Sequence, residues 1–530
     1  AYGASVPPVW QALLRKRLPG KSPARSKDFV RELSLLSDEA RRGRITDLVR
    51  EQVARTLSIA SAGAVPLDVP LKDLGLDSLT ALELNNSLAR ETGLNLPATL
   101  IFQQPTARAV AEHLSEQARG GPRAARTGNT ADRDQRFRAD AVLDAQIQRA
   151  SPAAIPPEPE ALLLTGATGF LGAHLLSDLL LGTRAQINCH VRAPSAATGM
   201  ARVIENLRRY RLWQDDFASR LSILPGDLRQ PRLGLDSATW GRLAESLDAV
   251  YNNGALLGFV ADYREMKPSH VDPTNEILRL AASGRVKAVH HVSSTVVFDS
   301  AAYRRQTITE LMDPLESGEI YVGYSQCKWV SETLVRAAAS RDIPVTIHRP
   351  DFIAGSGSDG GFNTADFLAR LFKSIIEMGV MPGDLDLELY FSPVDYVSRC
   401  IVYLSLQPDS RGRAFHLQHP RGIHLEALGE ILRSLGYQIR SVPYHDWVSR
   451  LEAWRDGPLA PLLPFLEQRW GPDQLTYMEG LQRQHRPSFS CDQTLVALQA
   501  SGIECPSLDR QLIERYLRYF MYSGFIKGSP

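Results

Sequence analysis

The stretch ALLLTGATGFLGAHLLSDLLL, residues 161–181, decides the fold. Its first four residues are apolar and read as a buried strand. Gly166, Gly169 and Gly172 follow at a spacing of three, and an apolar helix pattern begins at Phe170. A strand that enters a glycine turn and leaves as a helix is a phosphate-binding turn. Gly166 permits the tight bend, Gly169 lets the backbone approach a pyrophosphate, and Gly172 lets the helix pack close to the strand. Thr165, Thr168, Phe170 and Leu171 complete the turn and are expected to hold the nucleotide with the three glycines.

Outward from this turn, apolar strands alternate with amphipathic helices, which implies βαβ units and a mostly parallel sheet. A second strand, 186–191, ends at Arg192. An acid near that point, about 20 residues past the glycines, would hold a ribose 2′-hydroxyl. None is present, and an arginine there can pair bidentately with a 2′-phosphate. With Arg202 as a second contact, the expected cofactor is NADPH. Ile223–Leu224 runs into Gly226, Asp227 and Leu228, a third strand with an acid near the adenine. Ala249–Tyr251 runs into Asn252, Asn253 and Gly254, a fourth strand whose loop brings Asn253 to the nucleotide.

Composition bounds the rest. The chain has 530 residues, 44% hydrophobic and 22% charged, enough for about three to five domain-sized units. Sixty Lys+Arg against 59 Asp+Glu give a net charge of +1, which argues against a nucleic-acid partner. No uninterrupted apolar run of about 18 residues occurs, so no membrane span is expected. No signal-peptide pattern opens the chain, and the five scattered cysteines lack metal-ligand spacing, so a cytoplasmic, thiol-reduced protein is expected. A first residue of Ala1 suggests a piece of a longer polypeptide. Residues 1–36 read as an upstream tail, 37–118 as a small helical domain, and 119–140 as a flexible linker. Residues 141–354 read as the nucleotide domain, and 355–530 as a mostly helical second part.

Arginines outnumber lysines 51 to 9, so each lysine is easy to weigh. Tyr-x-x-x-Lys puts a phenol and an ammonium on one helix face, where the cation can bring a tyrosine pKa down from about 10. That suits protonation of a carbonyl oxygen during hydride transfer. The spacing occurs at Tyr263–Lys267 and at Tyr324–Lys328. Pro268 follows the first pair at once. The second opens a helix after a strand ending in Ser293, Ser294 and Thr295, so Tyr324 and Lys328 are the expected catalytic pair. Ser294 and Thr295 compete for the supporting hydroxyl.

In the small domain, residues 41–58 have helical apolar spacing, and Asp77 precedes a second helix. Ser78 therefore sits at a helix N-terminus, a favourable place for a phosphodiester. LGLDSLTALEL and LPATLIFQQPTARAVAEHL (96–114) resemble a polyketide-synthase acyl carrier protein. That resemblance implies 4′-phosphopantetheine on Ser78, placed there by a phosphopantetheinyl transferase.

The order TGATGFLG, GDL, NNGA, VSST, YSQCK and HRPDFIAG (348–355) resembles an extended short-chain dehydrogenase/reductase. KWVSE, SPVDYV, FHLQHP and SGIECPSLDRQLIERYLRYF bring it closer to the thioester reductase domains that end polyketide and nonribosomal peptide synthases. The resemblance implies an α/β, Rossmann-like doubly wound sheet with a smaller, mostly helical substrate subdomain. It also implies NADPH-dependent release of a carrier-bound acyl or polyketide thioester, supplied by upstream synthase modules, as aldehyde or then alcohol. Lys328 is thereby implied to bind the nicotinamide ribose, and Tyr324 to join the cofactor site. Apolar segments Phe367–Ile376, Leu459–Leu466 and Leu512–Phe520 are expected along an acyl channel. The chain departs from the pattern at Asn252, where histidine is common, and at His270, where asparagine usually stands; both are expected near the cofactor. Non-redox, condensation-type release and a docking module that only binds NADPH are the competing readings.

Overall fold

The computed structural model describes residues 38–57, 59, 61–69, 71, 74, 76, 84–85, 87–89, 91–92, 96, 100–104, 106–119, 137–149, 156, 158–255, 261–454, 457–471 and 473–527. The chain divides into two compact units at Thr127/Gly128. In the first, helices Asp38–Thr56 and Ala107–Arg119 bury Ile45, Val49, Val53, Val110 and Leu114 against Leu100. The expected helix over 41–58 is thus Asp38–Thr56. Ser78, the tail 1–36 and linker positions 120–136 lie outside the described residues.

The second unit is built on a seven-stranded parallel sheet. Its strands are β1 (Ala161–Thr165), β2 (Gln186–Val191), β3 (Leu221–Pro225), β4 (Ala249–Asn252), β5 (Ala288–Val292), β6 (Val345–Pro350) and β7 (Ala414–Leu417), in the order β3-β2-β1-β4-β5-β6-β7. Both faces are covered, so the strands are buried along almost their whole length rather than at alternate residues. Along β1, Leu162 and Leu164 enter one apolar cluster and Leu163 the other. The first cluster packs under α1 (Phe170–Gly182) and α2 (Ala196–Arg209). The second packs under α3 (Ser237–Ser246), α4 (Tyr263–Ala282) and α5 (Gly323–Ala339).

Two expected boundaries move. Residues 137–140 belong to the second unit rather than to a linker. Phe137 packs edge-on against Trp329, Arg138 donates to the carbonyls of Ser317 and Gly318, and Asp140 receives Tyr263 Oη–H and Lys267 Nζ–H, both at 2.8 Å. The competing Tyr-x-x-x-Lys pair is therefore a clamp on Asp140, and α4 runs straight through Pro268. The cut at 354/355 also fails as a layer boundary. α7 (Val394–Ser405) buries Tyr396, Val397, Cys400 and Ile401 in the same cluster as α1, and β7 closes the sheet edge. The chain leaves the sheet after β6, builds α6 (Phe367–Met378), and comes back. The remaining C-terminal part has its own core, with Phe362, Phe367, Phe372, Trp447 and, from α8 (Arg510–Tyr522), Tyr516 and Phe520. No helix among the described residues is long and apolar enough to cross a membrane.

Five of the imidazoles buried in or against the sheet are His174 on α1, His290 and His291 on β5, His348 on β6 and His416 on β7. Burial lowers all five, His174 to about 4 and His290, His291 and His416 to about 3. Below the ordinary value of 6.5 the unfolded chain takes up protons that these folded rings refuse. Each then removes about 1.4 kcal/mol of stability per pH unit. Asp178 and Asp366, raised to about 6 by burial, offset part of that below pH 6. The urea midpoint of the second unit should therefore fall on going from pH 7.5 to pH 5.5; a midpoint that holds or rises contradicts this account.

Candidate active site

The strand order reverses between β1 and β4, and a parallel sheet opens a crevice at such a point. The glycine turn fills it. Gly166 has φ +75°, and a Cβ on Gly172 would come within 1.9 Å of the Gly166 carbonyl oxygen, so no larger residue fits there. Gly169 caps α1 without a side-chain hydrogen bond, which leaves the first-turn N–H groups to an anion. Gly166, Thr168, Gly169, Phe170, Leu171 and Gly172 line one side of a cavity of about 770 Å³, with Leu228 and Asn253 across from them. Thr165 is not in its wall. Its hydroxyl accepts from the backbone N–H groups of Asn253 (3.0 Å) and Gly254 (2.8 Å), so it fixes the loop after β4.

The rim beyond the turn is cationic. Arg192 and Arg202 are exposed and line the same cavity, and Arg202 donates to the Arg192 carbonyl. Asp227 is clasped by Arg229, with Nη2 to Oδ2 at 2.7 Å and backbone N–H to Oδ1 at 3.0 Å. These bonds, with Arg192 nearby, hold its carboxyl at about 2. Arg229 lines the cavity too. Sequence reading passed over it, although it stands two residues from Asp227.

At the far side of the crevice, α5 and the end of β5 bring Tyr324, Lys328, Ser294 and Thr295 into the cavity wall. Neither Tyr263 nor Lys267 reaches it, and Lys328 is the only described lysine there. Lys328 Nζ donates to the Val292 carbonyl at 2.8 Å and lies 5.9 Å from the centroid of the Tyr324 ring. Burial lowers the ammonium to about 8. The expected depression of the Tyr324 phenol is not present: burial, with Asp366 and Cys327 adding to it, pushes the phenol up. Tyr324 therefore keeps its proton through the physiological range, the state from which it can donate. Ser294 caps the turn 295–298 by accepting from Val296 N–H at 3.4 Å. Thr295 is 2% exposed and its hydroxyl has no partner among the described residues, so it is the freer of the two. Asn252 and His270 are absent from the wall. Asn252 turns to Thr274 and His291, and His270 packs edge-on against Tyr324 at 5.8 Å, so the departures at these positions lie behind the cofactor crevice.

Directly behind Tyr324 and Lys328 lies a buried charge network. Glu332, one turn past Lys328, accepts from Ser293 Oγ (2.6 Å), Arg336 Nε (3.0 Å) and Arg349 Nη2 (2.5 Å). Arg349 also meets His416 Nε2 at 3.1 Å, and His416 Nδ1 meets the Ser490 carbonyl at 2.7 Å.

Comparison with known proteins fits this arrangement. Residues 164–401 match the NAD-binding family model described as Male sterility protein, and residues 47–114 the one described as Phosphopantetheine attachment site. The terminal R domain from the myxalamid PKS-NRPS biosynthetic pathway shares 39% identity with a TM-score of 0.70, over 75% of this chain and 100% of that one. The chain belongs to the terminal reductase domains of polyketide and nonribosomal peptide synthases. A linear gramicidin synthase polypeptide of Brevibacillus parabrevis is 33% identical over 86% of this chain. Isonitrile lipopeptide synthase of Streptomyces coeruleorubidus is 33% identical over 88%. The chain spans only 9% and 32% of those two proteins. It thus joins, in one chain, a domain of this reductase family with a nicotinamide-nucleotide fold to a domain of the phosphopantetheine attachment family.

In this reductase domain the cavity continues past Tyr324 between Asp299, Asp351, Asp366, Phe465, Tyr477 and Arg486. Of the three segments expected along an acyl channel, 459–466 supplies Phe465, and Asp366 stands just ahead of α6. None of Leu512–Phe520 lines the cavity, and its apolar residues belong to the C-terminal core. Sequence reading missed the polar members because they stand on irregular segments, where periodicity gives no signal.

Arg349 and Glu332 are both fully buried. Glu332→Ala leaves an uncompensated guanidinium and should destabilise the domain by about 3–5 kcal/mol, read by urea unfolding. A loss below about 1 kcal/mol would show that the network is not holding the fold.

Proposed function

We propose that this chain releases a carrier-bound acyl thioester by NADPH-dependent reduction, giving an aldehyde that a second reduction can take to the alcohol. The observation that carries the reading is the meeting of Tyr324, Lys328 and the β5 hydroxyls in the cavity that also contains the glycine turn. The uncapped helix start and the Gly166–Gly172 contact suit a dinucleotide pyrophosphate, and the Arg192, Arg202 and Arg229 rim suits a 2′-phosphate. Bound at this site, the cofactor supplies a hydride to the thioester carbon. Tyr324 gives its proton to the carbonyl oxygen as negative charge develops, and Thr295 or Ser294 donates a hydrogen bond to the same atom. Lys328 keeps positive charge under the Tyr324 ring and binds the nicotinamide ribose. The carbon–sulfur bond then breaks, the thiol leaves with a proton, and the carbonyl re-forms as an aldehyde.

The tethered substrate would ride on phosphopantetheine carried by Ser78, installed by a phosphopantetheinyl transferase and loaded by upstream synthase modules. The match of residues 47–114 to a phosphopantetheine attachment family supports this part. Tethering raises the local concentration of thioester at the reductase without tight docking.

Incubating the full chain with an acyl-pantetheine thioester and NADPH should oxidise the nicotinamide and yield aldehyde. Tyr324→Phe should lower the rate by about 100-fold or more. NADPH binding without thioester-dependent oxidation would overturn reduction in favour of condensation or docking. Arg192→Ala should raise the KM for NADPH by about 10-fold or more, the worth of a charge-assisted contact, while leaving that for NADH nearly unchanged. Equal effects on both would remove the 2′-phosphate reading.

A further inference from the structure

The arm of the cavity beyond Tyr324 has a chemistry that a hydrocarbon tail does not use. Its rings are close-set: Phe465 lies 4.0 Å from Tyr477 and 5.5 Å from Trp470, centroid to centroid. Among them stand three carboxyl groups. Asp351 is neutralised by Arg486, Nη2 to Oδ2 at 2.6 Å. Asp299 receives one hydroxyl, Ser325 Oγ–H at 3.0 Å, and Asp366 one backbone N–H, from Leu368 at 3.1 Å. No ion pair with a described residue holds either of them. A carboxylate has room for about four donors, so both keep unused acceptor sites toward the cavity they line. Tyr477, Asp299, Asp351, Asp366 and Arg486 all line this one cavity.

A separate observation marks the same wall as a ligand contact. The Thr295 hydroxyl is more than nine-tenths buried, belongs to a residue that lines the cavity, and has no partner among the described residues. Asp299 closes the turn that Thr295 opens, and Ser325 follows Tyr324 in sequence. The free acceptors are therefore near the reacting carbonyl, not at the distal end of the arm. An aliphatic chain in this space would strip water from Asp299 and Asp366 and return nothing, whereas a donor on the chain would replace that water.

We propose that the arm selects acyl groups carrying a hydrogen-bond donor, hydroxyl or ammonium, on the first carbons beyond the thioester, with Asp299 and Asp366 as the acceptors. This rests on the reading of the cavity as a thioester reductase site.

The test compares octanoyl, 3-hydroxyoctanoyl and 3-aminooctanoyl pantetheine with the full chain and NADPH. Both substituted thioesters should exceed octanoyl in kcat/KM by about 10-fold or more, because a site built to bond a polar substituent discriminates strongly against its absence. Asp299→Asn and Asp366→Asn should each shrink that ratio within the variant, and more for the ammonium than for the hydroxyl. A gain confined to the ammonium would assign the carboxylates as counterions, and a gain in both would assign them as acceptors. Octanoyl turnover equal to or above the others, with ratios unmoved in the variants, would overturn the proposal. Calorimetric titration of the corresponding amides, which are not reduced, reads the same preference as binding. A failure of reduction and a failure of selection are then separate results.

Discussion

The fully buried pair of Arg349 and Glu332 is the interaction on which the site depends. Two charges inside a sheet-and-helix layer are tolerable only when every polar atom around them is matched. Here the matching partners are the site's own scaffold. Glu332 is on the helix that carries Tyr324 and Lys328, and it accepts from Ser293, the residue before Ser294. Arg349 is on β6, and through His416 on β7 it reaches the Ser490 carbonyl next to Phe489, which lines the cavity. Because Nε2 of His416 faces a guanidinium that can only donate, its proton sits on Nδ1 and is given to Ser490. One neutral imidazole thus joins the sheet edge to the C-terminal segment, and burial keeps it neutral.

The same logic explains which residues could be read from sequence. The glycine turn was legible because sterics leave no alternative: the Gly172 Cβ has no room beside Gly166. Tyr324 and Lys328 were legible because helical spacing and strand order are local properties. The membership of α7 and β7 in the central layers was not, because a chain that leaves a sheet and returns shows no break in its hydrophobic pattern. The attachment of residues 137–140 was hidden for a related reason. Phe137 and Asp140 act through Trp329 and through Tyr263 with Lys267, partners more than a hundred positions away. The Tyr263–Lys267 spacing was real, but its two groups grip a carboxylate instead of a substrate.

The expectation that failed outright concerns the proton of Tyr324. A tyrosine one turn from an ammonium suggests a depressed phenol, and here burial and Asp366 push the other way. Geometry accounts for this. Lys328 spends a hydrogen bond on the Val292 carbonyl and lies nearly 6 Å from the ring centroid, 5.9 Å, so its charge meets the ring rather than pairing with the hydroxyl. A neutral phenol is the form that can protonate an acyl oxygen, so the arrangement favours donation over a resting tyrosinate.

The cavity as a whole is electrostatically divided. Arg192, Arg202 and Arg229 stand at one end, where an anionic cofactor is expected, and Asp299 and Asp366 stand at the other. Low-dielectric walls focus such fields, so an anionic ligand entering from the wrong end meets carboxylates and is turned away. In the proposed reaction this division would orient two ligands in one continuous space without a partition between them. Lys328 sits at the boundary with its ammonium lowered to about 8, and it is the charge both ends share. Its position is held by the Val292 carbonyl at the end of β5, and one turn along α5 Glu332 accepts from Ser293, the residue after Val292. The buried ion pair thus sets the point at which the two halves of the cavity meet.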